Sequence, residues 1–237
     1  MKKLIPIFLL FTFSAHAQLE EIVVTASRAS TELPGQRVTR KGDFLLLRVT
    51  ISNDSREEEQ REKEIHKTLL DAIKKAKGQR NIELSSVTPS DFVIPLTEAN
   101  HRIELNDGAR PDTSQAAFRV KSAISSDAKD GEGLVLNLRR FVNDLKMAGR
   151  TLVEIDNDVE ISIVNPSQYR SQVIQLMAED IKTVTSAIGD DYRVIVEGVD
   201  GPVEWARVGS LNVSIYVPYR YVVLPTSINS YNVWPEY

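Results

Sequence analysis

The sequence predicts an α+β fold, with helices laid over one face of a mixed or antiparallel sheet. Three observations predict it. Apolar residues recur at every second position in several short segments, the period of a half-buried strand. Three longer segments carry apolar stripes at helical spacing, and each stops at a glycine. A strand–helix–strand order occurs twice, an arrangement consistent with an internal duplication and with helices layered on a sheet.

The chain opens with three parts in the order of a cleavable export signal. Lys2 and Lys3 are its positive start, Leu4 to Phe13 its apolar run, and Ala15-His16-Ala17 its small-x-small cleavage pattern. Residues 1–17 are therefore expected to be removed, leaving Gln18 as the mature start and the periplasm as compartment. The apolar run is too short for a permanent membrane span, so no transmembrane segment is expected.

After the signal, Ile22 to Thr25 reads as an edge strand. Leu45, Leu47, Val49 and Ile51 alternate with Arg48, Thr50 and Ser52 in a second strand. A helix is predicted from about Ser55 to Lys77, with Ile65, Leu69, Ile73 and Ala76 inward and Gly78 as its stop. Its charged opening, Arg56 to Glu64, is expected to project into solvent. Residues 88–113 contain Pro89, Pro95, Pro111 and the turn Asn106-Asp107-Gly108, and read either as a hinge between two halves or as an edge meander. Short strands are expected there at Phe92 to Leu96 and His101 to Leu105.

Phe118, Val120 and Ile124 share one strand face. A second helix is predicted from about Gly133 to Ala148, ended by Gly149. Val153, Ile155, Val159, Ile161 and Ile163 keep one parity across Asp156-Asn157-Asp158, which is either a tight turn or a bulge. Asn165-Pro166 reads as a cap and first-turn proline, opening a third helix with Val173, Met177, Ile181, Val184 and Ile188 inward. Strands at Tyr192 to Val196 and Leu211 to Val217 close the domain, expected to span residues 18–223, and residues 224–237 form an aromatic tail.

Composition narrows the function classes. The 237 residues carry a formal charge of −4, and loss of Lys2 and Lys3 makes the mature form more acidic. That balance argues against nucleic-acid binding, which needs a basic stripe. With no cysteine, thiol chemistry and disulfides are excluded. His66 and His101, the two histidines beyond the signal, have no partner at metal-ligand spacing. No nucleophile elbow, phosphate loop or zinc helix occurs. Asp156, Asn157, Asp158 and Glu160 lack the glycine and closing glutamate of a calcium loop. Neither catalytic residues nor a cofactor is assigned, and a non-enzymatic protein is expected.

Two segments stand out as contact surfaces. Glu20 to Ser27, with Ile22, Val23 and Val24 at its centre, resembles the TonB box of outer-membrane receptors, which works by strand addition; the same letters make an ordinary edge strand. Tyr216, Tyr219, Tyr221, Tyr231, Trp234 and Tyr237 crowd the last 22 residues. Such aromatics suit a second subunit, a lipid headgroup layer at the membrane periphery, or their own core.

In layout the chain resembles the SIMPL-domain proteins, a family of exported bacterial proteins. The likeness lies in the early Val-Val-Thr strand, the polar helix after Ile51-Ser52-Asn53, and the strand and helix from Ile161 to Ile188. It is closest at Tyr192-Arg193-Val194-Ile195-Val196-Glu197-Gly198 with Leu211 to Tyr219, and spans residues 20 to 223. The charged Arg56 to Glu64 and the missing glycine-rich first strand depart from the family pattern. The resemblance implies an α+β fold, homo-oligomers of ring-like form and a link to the envelope or stress defence. It carries no catalytic residues. The expectation is an oligomeric periplasmic interaction protein with an envelope partner. Alternatives are an envelope hydrolase or ligand-binding protein with a carboxylate site, or an accessory to a TonB-type system.

Overall fold

The strand Phe44–Asn53 (β3) shows why this chain builds a sheet first. Its alternation puts Leu45, Leu47, Val49 and Ile51 on one face, each at most 1% exposed. The antiparallel register with Ser114–Ala123 (β7) sets Val120 beside Leu47, Phe118 beside Val49 and Ala116 beside Ile51. The computed structural model describes residues 20–24, 34–89, 92–108, 110 and 112–228. The expected signal, residues 1–17, lies outside them, as do Tyr231, Trp234 and Tyr237.

The fold is α+β. Seven antiparallel strands form its main sheet in the order β1-β8-β3-β7-β4-β5, with β6 also paired to β7. Here β1 is Glu21–Val24, β4 Glu83–Val87, β5 Val93–Pro95, β6 Asn106–Asp107 and β8 Thr151–Val164. An isolated antiparallel bridge between Ile22 and Phe92 brings the two ends of this sheet together, so it curls. Helix α1 (Glu58–Lys77) lays Ile65, Leu69 and Ile73 on the apolar face, and α2 (Glu132–Asn143) lays Leu138, Phe141 and Val142 beside them.

A smaller sheet of Val38–Lys41 (β2), Glu204–Arg207 (β10) and Asn212–Tyr216 (β11), ordered β10-β11-β2, covers the far end of that face. Its Val213 and Ile215 pack on Val24, Ile161 and Ile163. Helix α3 (Arg170–Ile188) presses Val173 and Met177 against Val217. Tyr192–Glu197 (β9) and Arg220–Pro225 (β12) then pair with each other as a separate ribbon.

Several elements depart from the sequence expectation. Helix α2 stops at Asn143, five residues short of Ala148. Lys75 on α1 reaches over and donates to the carbonyls of Phe141 and Asp144, satisfying the end of the helix from outside. Asn165 makes no side-chain cap: it sits at φ 49°, its N–H donates to Glu20, and Pro166–Tyr169 forms a 3-10 turn before α3. Asp156-Asn157-Asp158 is a bulge inside one 14-residue strand, because three residues of β8 stand against Arg48 alone between the pairs Leu47–Val159 and Val49–Ile155. His101 to Leu105 forms no strand; Asn106-Asp107, expected as a turn, pairs with β7 instead. The two strand–helix–strand units share order but not packing. Helix α1 returns the chain to the main sheet through β4, whereas α3 leads to β9, outside it.

Candidate interaction surface

Helix α3 begins on the body and runs past it. Its stripe was expected to be inward along its whole length, yet only Val173 and Met177 are fully buried; Ile181, Val184 and Ile188 are half-buried. The β9–β12 ribbon beside it has no fully buried residue. Tyr192 is 44% exposed, Tyr221 40% and Val223 36%, while Val194, Ile195, Val196, Val222 and Leu224 are half-buried. Two-stranded ribbons are marginal without a packed face, so this apolar arm is an unfinished layer. Each ribbon strand also keeps one edge without a strand partner among the described residues.

Tyr219 joins the arm to the body. It packs with Val173, Met177 and Val217, stacks on Tyr221 at 6.4 Å between ring centroids, and donates to Asp180 Oδ2 at 3.1 Å. Burial, and then the Asp180 carboxylate, push its phenol up to about 12. Asp180→Ala is expected to bring Tyr219 only part of the way back towards 10, because burial remains. Tyrosinate absorbance in an alkaline titration checks this, and an unchanged titration would show that the Asp180 contact contributes nothing.

Ile22, Val23 and Val24 are 5%, 4% and 3% exposed, paired in register with Ile163, Ser162 and Ile161. They form strand β1, paired on one side with β8, and their side chains are buried in this fold. Of the aromatic cluster at the chain end, Tyr219 and Tyr221 lie on the arm, while Tyr231, Trp234 and Tyr237 are outside the described residues.

Two polar clusters went unread in the sequence. On the face of the main sheet away from α1 and α2, Lys121 is 3% exposed at its side chain and bonds Glu21 at 2.6 Å and Glu83 at 3.3 Å. Ser162 donates to the other oxygen of Glu21, and Arg119 holds Glu160 through two nitrogens. The second cluster gathers at the end of β3. Glu64 accepts from Arg150 N–H at 3.0 Å, Asn53 Nδ2 at 2.7 Å, Gln60 Nε2 at 2.5 Å and Ser55 Oγ at 2.9 Å. Those donors hold its carboxyl down at about 2. Arg61, 8% exposed, bonds Ser114 and the carbonyls of Ser55 and Arg56. The charged opening of α1 therefore turns partly inward, contrary to expectation. The signal was present: Arg61 and Ile65, like Glu64 and Thr68, are four residues apart on one helix face.

The fold also brings the two histidines together, edge-on with centroids 6.3 Å apart. His66 Nε2 lies 3.2 Å from the Ile103 carbonyl, which accepts from it, and His101 Nδ1 2.8 Å from the accepting carbonyl of Glu98. They fasten the irregular stretch after β5. Among the described residues no helix is long and apolar enough to cross a membrane.

Comparison with protein-family models, with curated proteins and with solved structures gives no match in any of the three.

Proposed function

We propose that this chain is an exported, non-enzymatic interaction protein of the bacterial envelope that assembles with copies of itself through the α3 arm. The observation that carries the proposal is the unfinished apolar layer on α3 and the β9–β12 ribbon, with Tyr192, Tyr221 and Val223 open to solvent. Covering such a layer with the same layer of a second copy buries apolar area that solvent otherwise surrounds. An open ribbon edge also allows strands to continue from one copy to the next. The likeness in layout to SIMPL-domain proteins and the signal-like residues 1–17 support an envelope setting and a periplasmic location.

Light scattering on the purified protein is expected to give a mass that is a multiple of the monomer. Tyr221→Glu with Val223→Lys should convert it to monomer without loss of helix or sheet by circular dichroism, since both side chains are exposed. A wild-type protein that is strictly monomeric across the micromolar range sinks the assembly reading. N-terminal sequencing of the exported chain should begin at Gln18; an uncut chain retained in the cytoplasm sinks the location.

A further inference from the structure

The main sheet has a rift in it. Strand β7 pairs with β4 from Arg119 to Lys121 and with β6 at Ser114 and Gln115. Between these contacts, residues 116–118 have no strand partner on that edge among the described residues. A groove of about 700 Å³ opens there, with Ala117, Val87, Ile94 and Leu96 among its lining residues.

Its charge is unusual for an acidic protein. Arg48, Arg102 and Arg119 all line the groove. The register sets Arg48 directly opposite Arg119, a placement of like charges that disfavours the sheet. Arg119 is neutralised by Glu160, at 2.9 and 3.2 Å. Arg48 and Arg102 are exposed and have no hydrogen-bond or ion-pair partner among the described residues. The bulge in β8 stands across from Arg48, so the strand on its other side places no residue in register with it. Counting the lining residues and the Glu160 that holds Arg119, three arginines stand against two carboxylates, one positive charge in excess within the groove; Asp156 and Asp158 of the bulge are not among its lining residues.

We propose that this rift binds a small amphipathic carboxylate, its acid group on the guanidinium groups of Arg48 and Arg102 and its apolar body along Val87, Ile94 and Leu96. A single excess charge suits a monoanion, and the planar guanidinium fork matches a carboxylate. The uncovered edge of β7 supplies backbone groups for any polar substituent. This site lies on the main sheet and does not depend on the assembly proposed for the α3 arm.

Calorimetric titration of the full chain tests it, with octanoate as the probe and acetate and octylammonium as comparisons. Saturable octanoate binding is expected, with acetate weaker by about tenfold or more for want of an apolar body, and no octylammonium binding. Arg48→Gln with Arg102→Gln should weaken octanoate by about tenfold or more, while Arg140→Gln, an exposed charge on α2, should leave it unchanged. If the double variant fails to fold, Arg102→Gln alone, in the irregular stretch outside the sheet, is expected to weaken binding severalfold. Absence of saturable octanoate binding overturns the proposal, as does undiminished binding in the arginine variants or equal binding of octylammonium.

Discussion

Lys121→Ala is expected to destabilise the fold by about 3–5 kcal/mol, the cost of breaking a buried ion pair by removing one partner. Lys121 sits opposite Leu46 on β3, on the sheet face that α1 and α2 leave free. Its ammonium lies 2.6 Å from Glu21 and 4.0 Å from the centroid of the Phe44 ring. Glu21 is 9% exposed and, among the described residues, keeps the Ser162 hydroxyl alone once the lysine is gone. A carboxylate held there without a counter-charge disfavours the docked position of β1, and the lost lysine stem uncovers Phe44 as well. Replacing both partners, Lys121→Met with Glu21→Leu, should restore stability to within about 1 kcal/mol of wild type or raise it. Urea unfolding of the three proteins decides. A single variant that costs less than the double one refutes the account.

Glu64→Gln is the second large effect, expected to cost about 2–3 kcal/mol at neutral pH, since bonds to a charged acceptor are the stronger ones. The carboxylate collects donors from four places: the end of β3, the loop before α1, α1 itself and the backbone at Arg150. Gly149, at φ +55°, lies so close that a Cβ there would fall 2.0 Å from the Glu64 carboxyl carbon. Because the folded state holds this group at about 2 against an ordinary 4.5, its contribution is complete above pH 4.5. It is lost progressively as pH falls towards 2, where the folded chain must also take up the proton. Asp54, held low by its bonds to Arg150, adds to the loss in the same direction. Wild type should therefore lose stability between pH 4.5 and 2, and Glu64→Gln should flatten that slope. Chemical denaturation at several pH values measures both, and equal slopes would remove Glu64 from the account.

Most of the secondary structure was legible because it follows from period. The alternation in β3 and the stripe of α1 each repeat within a few residues, so local sequence contains the whole signal. What failed was decided at a distance. The end of α2 depends on Lys75, nearly seventy residues away, and the bulge in β8 is defined by its register with β3. Arg61 and Glu64 read as part of a solvent-facing charged opening because charge alone does not tell whether a partner waits inside, and nothing near Lys121 in the sequence marks it as buried.

By itself, then, the sequence determined the elements, their apolar faces and the acidic, cysteine-free body they build. Only the tertiary structure decided that α3 outruns the core, that Ile22 to Val24 lie within a curled sheet, and that a rift in that sheet leaves two arginines without an ion-pair partner among the described residues. The division has one cause. Periodicity is written in neighbouring residues, whereas pairing between strands and the burial of a charge depend on what residues remote in sequence bring to the same place.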